Sequence, residues 1–129
     1  MLCVAADLPH PFPADFRYMG VPVLDSPDVD LRPHFDAAFE FMEHAVSSSG
    51  GVLVHCFAGR SRSVTICVGY LMRYQTMTLH SALAAVQALR PCAQPNVGFM
   101  ANLERFEQEE ARSRAHGHAT RSSTRLTCA

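Results

Sequence analysis

Lysine is absent from this 129-residue chain, so all eleven of its basic side chains are arginine. Long apolar runs are absent too: none approaches the ~18–20 residues of a membrane span. Met1-Leu2-Cys3 does not open a basic-then-apolar secretory leader. The five cysteines have neither paired nor zinc-type spacing, which argues against a disulfide scaffold or a zinc module and for a reducing, cytoplasmic or nuclear setting. No repeat recurs, and the Gly-Lys-Ser/Thr of an ATP-binding loop is missing. What remains, 48% hydrophobic and 18% charged, suits one soluble globular domain with a single core.

Charge is unevenly placed. The first 111 residues carry seven arginines against twelve acids, a formal −5, and Arg112, Arg114, Arg121 and Arg125 bring the whole chain to −1. That last segment is rich in Ser, Thr and Arg with few large apolar residues, so it cannot recover its ordering entropy by burial. The division expected is a folded domain over residues 1–110 and a basic, disordered tail over 111–129. A contact of that tail with acidic lipid, RNA or protein is the less favoured reading.

The pattern along the chain is α/β. Leu2 to Ala6, Phe16 to Val23 and Val52 to His55 read as strands. Pro33 can open a first helix whose inner face is Phe35, Phe39, Met42 and Val46, ended by Ser47-Ser48-Ser49-Gly50-Gly51. Arg62 to about Tyr74 is apolar nearly all round and predicts a buried helix. Thr78 can cap a third helix with Ala82, Leu83, Val86 and Leu89 inward, and Phe99, Leu103 and Phe106 stripe a fourth. Strands separated by helices predict a central, mostly parallel sheet flanked by helices, with ligands bound at the strands' carboxyl ends.

At one such end stands Val54-His55-Cys56-Phe57-Ala58-Gly59-Arg60-Ser61-Arg62-Ser63, a short loop between an apolar strand and an apolar helix. A helix N-terminus offers free backbone N–H groups and a favourable dipole to an anion. The same field lowers a cysteine pKa from about 8.5 to roughly 3.5–7.5, which makes Cys56 a nucleophile at neutral pH. Five residues separate Cys56 from Arg62, enough for the backbone of Phe57, Ala58, Gly59, Arg60, Ser61 and Arg62 to curl round a phosphoryl group while the guanidinium grips two of its oxygens. Gly59 supplies a positive φ or a close backbone approach. The Ser63 hydroxyl can donate to the Cys56 sulfur, and a His55 ring N–H can orient the loop carbonyls. Phosphoryl transfer of this kind needs neither metal nor cofactor.

The string His-Cys-x-Ala-Gly-x-Ser-Arg-Ser resembles the signature of the dual-specificity branch of the cysteine-dependent protein tyrosine phosphatases. Asp25, Tyr70-Leu71-Met72, Arg90-Pro91 and Pro95-Asn96-x-Gly98-Phe99 extend the resemblance over about residues 1–110. It implies a phosphatase-type fold, hydrolysis of phosphotyrosine and phosphoserine or phosphothreonine proteins through a phosphocysteine, and phosphorylated proteins as partners, with no nucleic acid. The departures are Asn102 where the family has glutamine, Cys3 or Ala5 at the place of a first-strand asparagine, and no helix and strand before Leu2, so the sheet is expected to lack one edge.

A general acid must lie on a loop over the pocket, and Val23-Leu24-Asp25-Ser26-Pro27-Asp28-Val29-Asp30 offers three carboxylates. Asp25 follows the strand directly, and the resemblance puts the acid there; Asp28 and Asp30 read as solvated or helix-capping. Asn96 reads either as a helix-start residue or as a brace for the nucleophile loop. Cys67 and Cys92 read as packing, His10, His34, His44 and His80 as surface residues, and His116-x-His118 as a weak metal pair. The competing functions are a phosphoinositide phosphatase, favoured by Arg60 and disfavoured by Phe57, and a catalytically impaired phosphate-binding module.

Overall fold

The computed structural model describes residues 1–116 and 126–129. Strands β1 (Leu2–Cys3), β2 (Met19–Gly20), β3 (Val52–His55) and β4 (Leu126–Cys128) form one parallel sheet in the order β2-β1-β3-β4. Leu2 pairs with Met19 on one side and with Val54 on the other, which sets β1 between β2 and β3, and β3 lies inside the sheet between β1 and β4. Helices α1 (Phe35–Ser47), α2 (Arg62–Tyr74), α3 (Leu79–Leu89) and α4 (Val97–Ala115) complete the fold, α1 entered through a 3-10 turn over Arg32–His34 that holds Pro33.

Burial follows the sequence pattern at most positions. Phe35, Ala38, Phe39 and Met42 bury one face of α1, and Phe99, Leu103 and Phe106 one face of α4. Helix α2 buries nine of its thirteen residues, which is why its sequence shows no polar face. Phe39 stands at the centre, stacked on Phe35 at 5.1 Å and edge-on to Tyr70 and Phe106 at 6.4 and 5.7 Å. Arg73 lies 5.2 and 5.1 Å over the Phe39 and Phe106 rings while pairing with Asp36 and Glu110, so one guanidinium joins three helices.

Four expectations need correction. The first two strands are shorter than their apolar stretches: Phe16 sits in a turn whose amide bonds to the Phe12 carbonyl. Beyond Val21, which still donates to Cys3, Pro22 has no N–H to continue the ladder. Leu89, at the last turn of α3, is 87% exposed rather than inward, and Cys92 is exposed rather than packed.

The fourth concerns the tail. Helix α4 runs through Arg112 and Arg114, whose charges suit the negative end of a helix, and Arg114 reaches the Met72 carbonyl. Past residues 117–125, β4 pairs in parallel with β3, Val52 opposite Leu126. An unpaired edge is a template for any strand that can reach it; here the chain's own end takes the edge of β3. His116 follows the end of α4, and His118 lies outside the described residues. Among the described residues no helix is long and apolar enough to cross a membrane.

Removing the Phe39 ring empties the centre of this cluster. Phe39→Ala is expected to cost ~3–5 kcal/mol of unfolding free energy, read from urea denaturation. A loss below ~1 kcal/mol would show that the cluster can collapse around the gap.

Candidate active site

The loop from Cys56 to Arg62 turns the carboxyl end of β3 into the first turn of α2. Gly59 adopts φ +66°, a left-handed conformation that costs a residue without Cβ little. Outside the loop, Arg90 donates from Nε to the Gly59 carbonyl at 2.7 Å and from Nη2 to the Ala58 carbonyl at 3.0 Å. With these carbonyls held outward, the N–H groups of the same peptide units point the opposite way, that of Gly59 onto the Cys56 sulfur. His55, the residue expected to orient the carbonyls, instead lines an apolar cavity of about 290 Å³ with Leu8, Pro11, Phe12 and Tyr18. Arg90 was visible in the sequence as an arginine directly before Pro91, but nothing local says that it folds back across thirty residues onto the loop.

Cys56 is buried, and its sulfur sits 3.2 Å from the Ser63 hydroxyl and 3.3 Å from the Gly59 amide that donates to it. Burial pushes the thiol pKa up. The Ser63 hydroxyl and amide, the Gly59 amide and the Arg62 charge more than offset this, so the pKa lies below that of a free thiol. Ser63 Oγ also lies 3.1 Å from the Ala129 carbonyl oxygen. A hydroxyl has one proton to donate, so a thiolate at Cys56 and the Ala129 carbonyl compete for it.

Arg62 bonds through Nη1 to the Val23 carbonyl at 3.0 Å, which ties the start of the acid loop to the nucleophile loop. Its Nε is buried without a hydrogen-bond partner among the described residues. A buried cationic donor left unpaired is costly, and an anion in the loop would satisfy it. Helix α2 begins without a side-chain cap, whereas Thr78 and Asn96 cap α3 and α4. Ser61 at its start has its hydroxyl taken by the Asn96 amide at 2.9 Å.

The three loop carboxylates separate clearly. Asp25 is exposed and accepts from Asn96 Nδ2 at 2.9 Å, which brings it to the start of α4 beside Ser61. Asp30 is engaged by Arg32, whose side chain and amide both bond to it, and is held below the usual carboxylate range by that contact. Asp28 is exposed, its own amide bonded to Ser26. Asn96 caps α4 through Oδ1, and its backbone amide donates to Ser61 of the nucleophile loop. Asn102, the departure from the family pattern, accepts from the Leu31 amide at 3.0 Å. Cys3 pairs in register with His55, and Cys67 is fully buried on α2.

Comparison with known proteins names this arrangement. Residues 3–109 match the dual specificity phosphatase catalytic domain, and the chain belongs to that family. It is 45% identical over 108 residues to dual specificity protein phosphatase 1B of Arabidopsis thaliana, covering 84% of this chain and 65% of that protein. It is 42% identical over 109 residues to dual specificity phosphatase 28 of Mus musculus, covering 83% of this chain and 67% of that one. The crystal structure of human DUSP28 superposes with a TM-score of 0.83 at 37% identity, over 87% of this chain and 80% of that chain. The chain spans 54–65% of the length of the two Arabidopsis relatives.

A lowered thiol pKa means that the thiolate forms at a lower pH. Alkylation of Cys56 by iodoacetamide is expected to show a midpoint below the ~8.5 of a free thiol, and Ser63→Ala to move it upward. A midpoint unmoved by that substitution would remove the hydroxyl from the set of groups holding the thiolate.

Proposed function

We propose that this protein hydrolyses phosphate monoesters on phosphotyrosine and on phosphoserine or phosphothreonine of protein substrates. The observation that carries the reading is the buried Nε of Arg62, unpartnered among the described residues, on the same loop as a thiol with a lowered pKa. The Cys56 thiolate attacks phosphorus, the ester P–O bond breaks, and Asp25 gives its proton to the leaving oxygen. Water then attacks the phosphocysteine, Asp25 takes the proton back, and the P–S bond breaks to release orthophosphate and the thiolate. Loop amides from Phe57 to Arg62 and the Arg62 guanidinium stabilise the charge on the transferred group, and Ser63 eases departure of the sulfur. The cycle runs with Cys56 reduced, which fits a cytoplasmic or nuclear setting.

Against a phosphoinositide substrate stands the character of the rim. Leu24, Phe57 and Val97, each next in sequence to Asp25, Cys56 or Asn96, are 61%, 80% and 77% exposed, and Arg60 adds a single exposed cation beyond the loop arginine. Apolar side chains around a phosphate site suit a peptide better than a polyanionic headgroup.

Cys56→Ser is expected to abolish turnover while vanadate still binds, measured by phosphate release and calorimetry; unchanged turnover would remove Cys56 as nucleophile and a folded wild-type protein without turnover would favour the binding-module reading. Matched phosphotyrosyl and phosphothreonyl peptides are both expected to be hydrolysed. A specificity constant more than about a thousandfold higher for one of them, ~4 kcal/mol in transition-state binding, would show a site closed to the other.

A further inference from the structure

The acid loop is exposed, yet a general acid must be held within hydrogen-bond reach of the leaving oxygen through the proton transfer. The side chain of Asn96 connects Asp25 itself to the rigid part of the fold. Asn96 Oδ1 accepts from the Phe99 amide at 2.9 Å as the cap of α4, so the amide orientation is settled and Nδ2 is the group left to face Asp25. Turning the amide over would set oxygen against oxygen and free the cap. The same residue donates its backbone N–H to Ser61 at the start of α2. Around it the two elements are in direct contact: a Cβ at Gly98 would come within 2.1 Å of the Pro27 carbonyl oxygen. Helix α4 is itself anchored in the core by Phe99, Leu103 and Phe106.

The bond reaches Oδ1 of Asp25. An amide N–H cannot donate to an oxygen that already carries the acid proton on the same side, so a donor at Oδ1 leaves the proton to Oδ2. We propose that Asn96 is the positioning residue of the general acid: its amide fixes the carboxyl of Asp25 relative to Cys56 and assigns the transferable proton to Oδ2. In the phosphocysteine half of the cycle, when Asp25 is a carboxylate, the same donor steadies it while Oδ2 takes the proton from water. The inference rests on the assignment of Asp25 as the acid.

The test separates this from a capping role. Ser and Asp cap helices about as well as Asn, so Asn96→Ser keeps the cap and deletes the donor, while Asn96→Asp keeps the cap and sets a like charge against Asp25. Both are to be made in the full chain, with melting followed by circular dichroism and kcat and KM measured on p-nitrophenyl phosphate and on phenyl phosphate, whose poorer leaving group depends more on the proton. For both variants the ratio of kcat for phenyl phosphate to kcat for p-nitrophenyl phosphate is expected to fall about tenfold, part of the ~10²–10⁴ that a general acid supplies. Adding Asn96→Ser to Asp25→Ala is expected to leave that ratio where Asp25→Ala alone puts it. A ratio unchanged by either Asn96 variant, or a further fall in the Asp25→Ala background, would overturn the proposal. If Asp25→Ala itself does not lower the ratio, the acid assignment fails first, and the inference falls with it.

Discussion

A helix that is buried on nearly all sides has to begin with its backbone amides open, and the turn from β3 into α2 is built around that requirement. Burial demands that polar groups be satisfied, whereas binding an oxyanion demands that several stay free. The conflict is met by placing the satisfied bonds on the outer side of the loop. Arg90 takes the carbonyls of Ala58 and Gly59, Ser61 takes the Asn96 amide, and the positive φ of Gly59 lets the chain turn between them. The inner side keeps the sulfur of Cys56 and the unpartnered Nε of Arg62. The satisfied bonds and the sulfur with the Arg62 Nε thereby lie on different faces of the same seven residues.

The absence of lysine acquires a meaning in this setting. Arg62, Arg73 and Arg90 each act through the planar fork as well as the charge: Arg90 spans two carbonyls, Arg73 stacks over two rings while bonding two acids, and Arg62 holds the Val23 carbonyl with one nitrogen and keeps another unpaired among the described residues. An ammonium offers one point charge and no plane, so it could serve part of each role and not the whole. The result is a site whose loops are tied to the rest of the fold through side chains of fixed shape.

The carboxyl-terminal strand adds a link between sheet and site. By pairing with β3 it covers an edge that would otherwise be open to other chains, and it brings Ala129 to the hydroxyl of Ser63. Cys128 lies against Cys67 and Ser63; the Cys67 contact lowers its thiol pKa, burial works against this, and Ser63 lowers it further. The group that steadies the Cys56 sulfur is therefore shared with the end of the chain, through one hydroxyl proton.

The sequence by itself determined the family signature and the order of elements as far as α4. A cysteine and an arginine at fixed spacing on a strand-to-helix turn state a local geometry, because five intervening residues leave few ways to fold. The spans of α2, α3 and β3 followed from apolar periodicity and from the Thr78 cap, which are also local. Tertiary structure decided what depends on residues far apart in the chain: that Arg90 rather than His55 holds the loop carbonyls, that Asn96 meets Asp25 across 71 positions, and that a polar, arginine-rich end supplies both the last turns of α4 and a fourth strand. Each of these rests on a backbone group or a buried edge waiting for a partner. Such a vacancy has no signature in the residues that come to fill it.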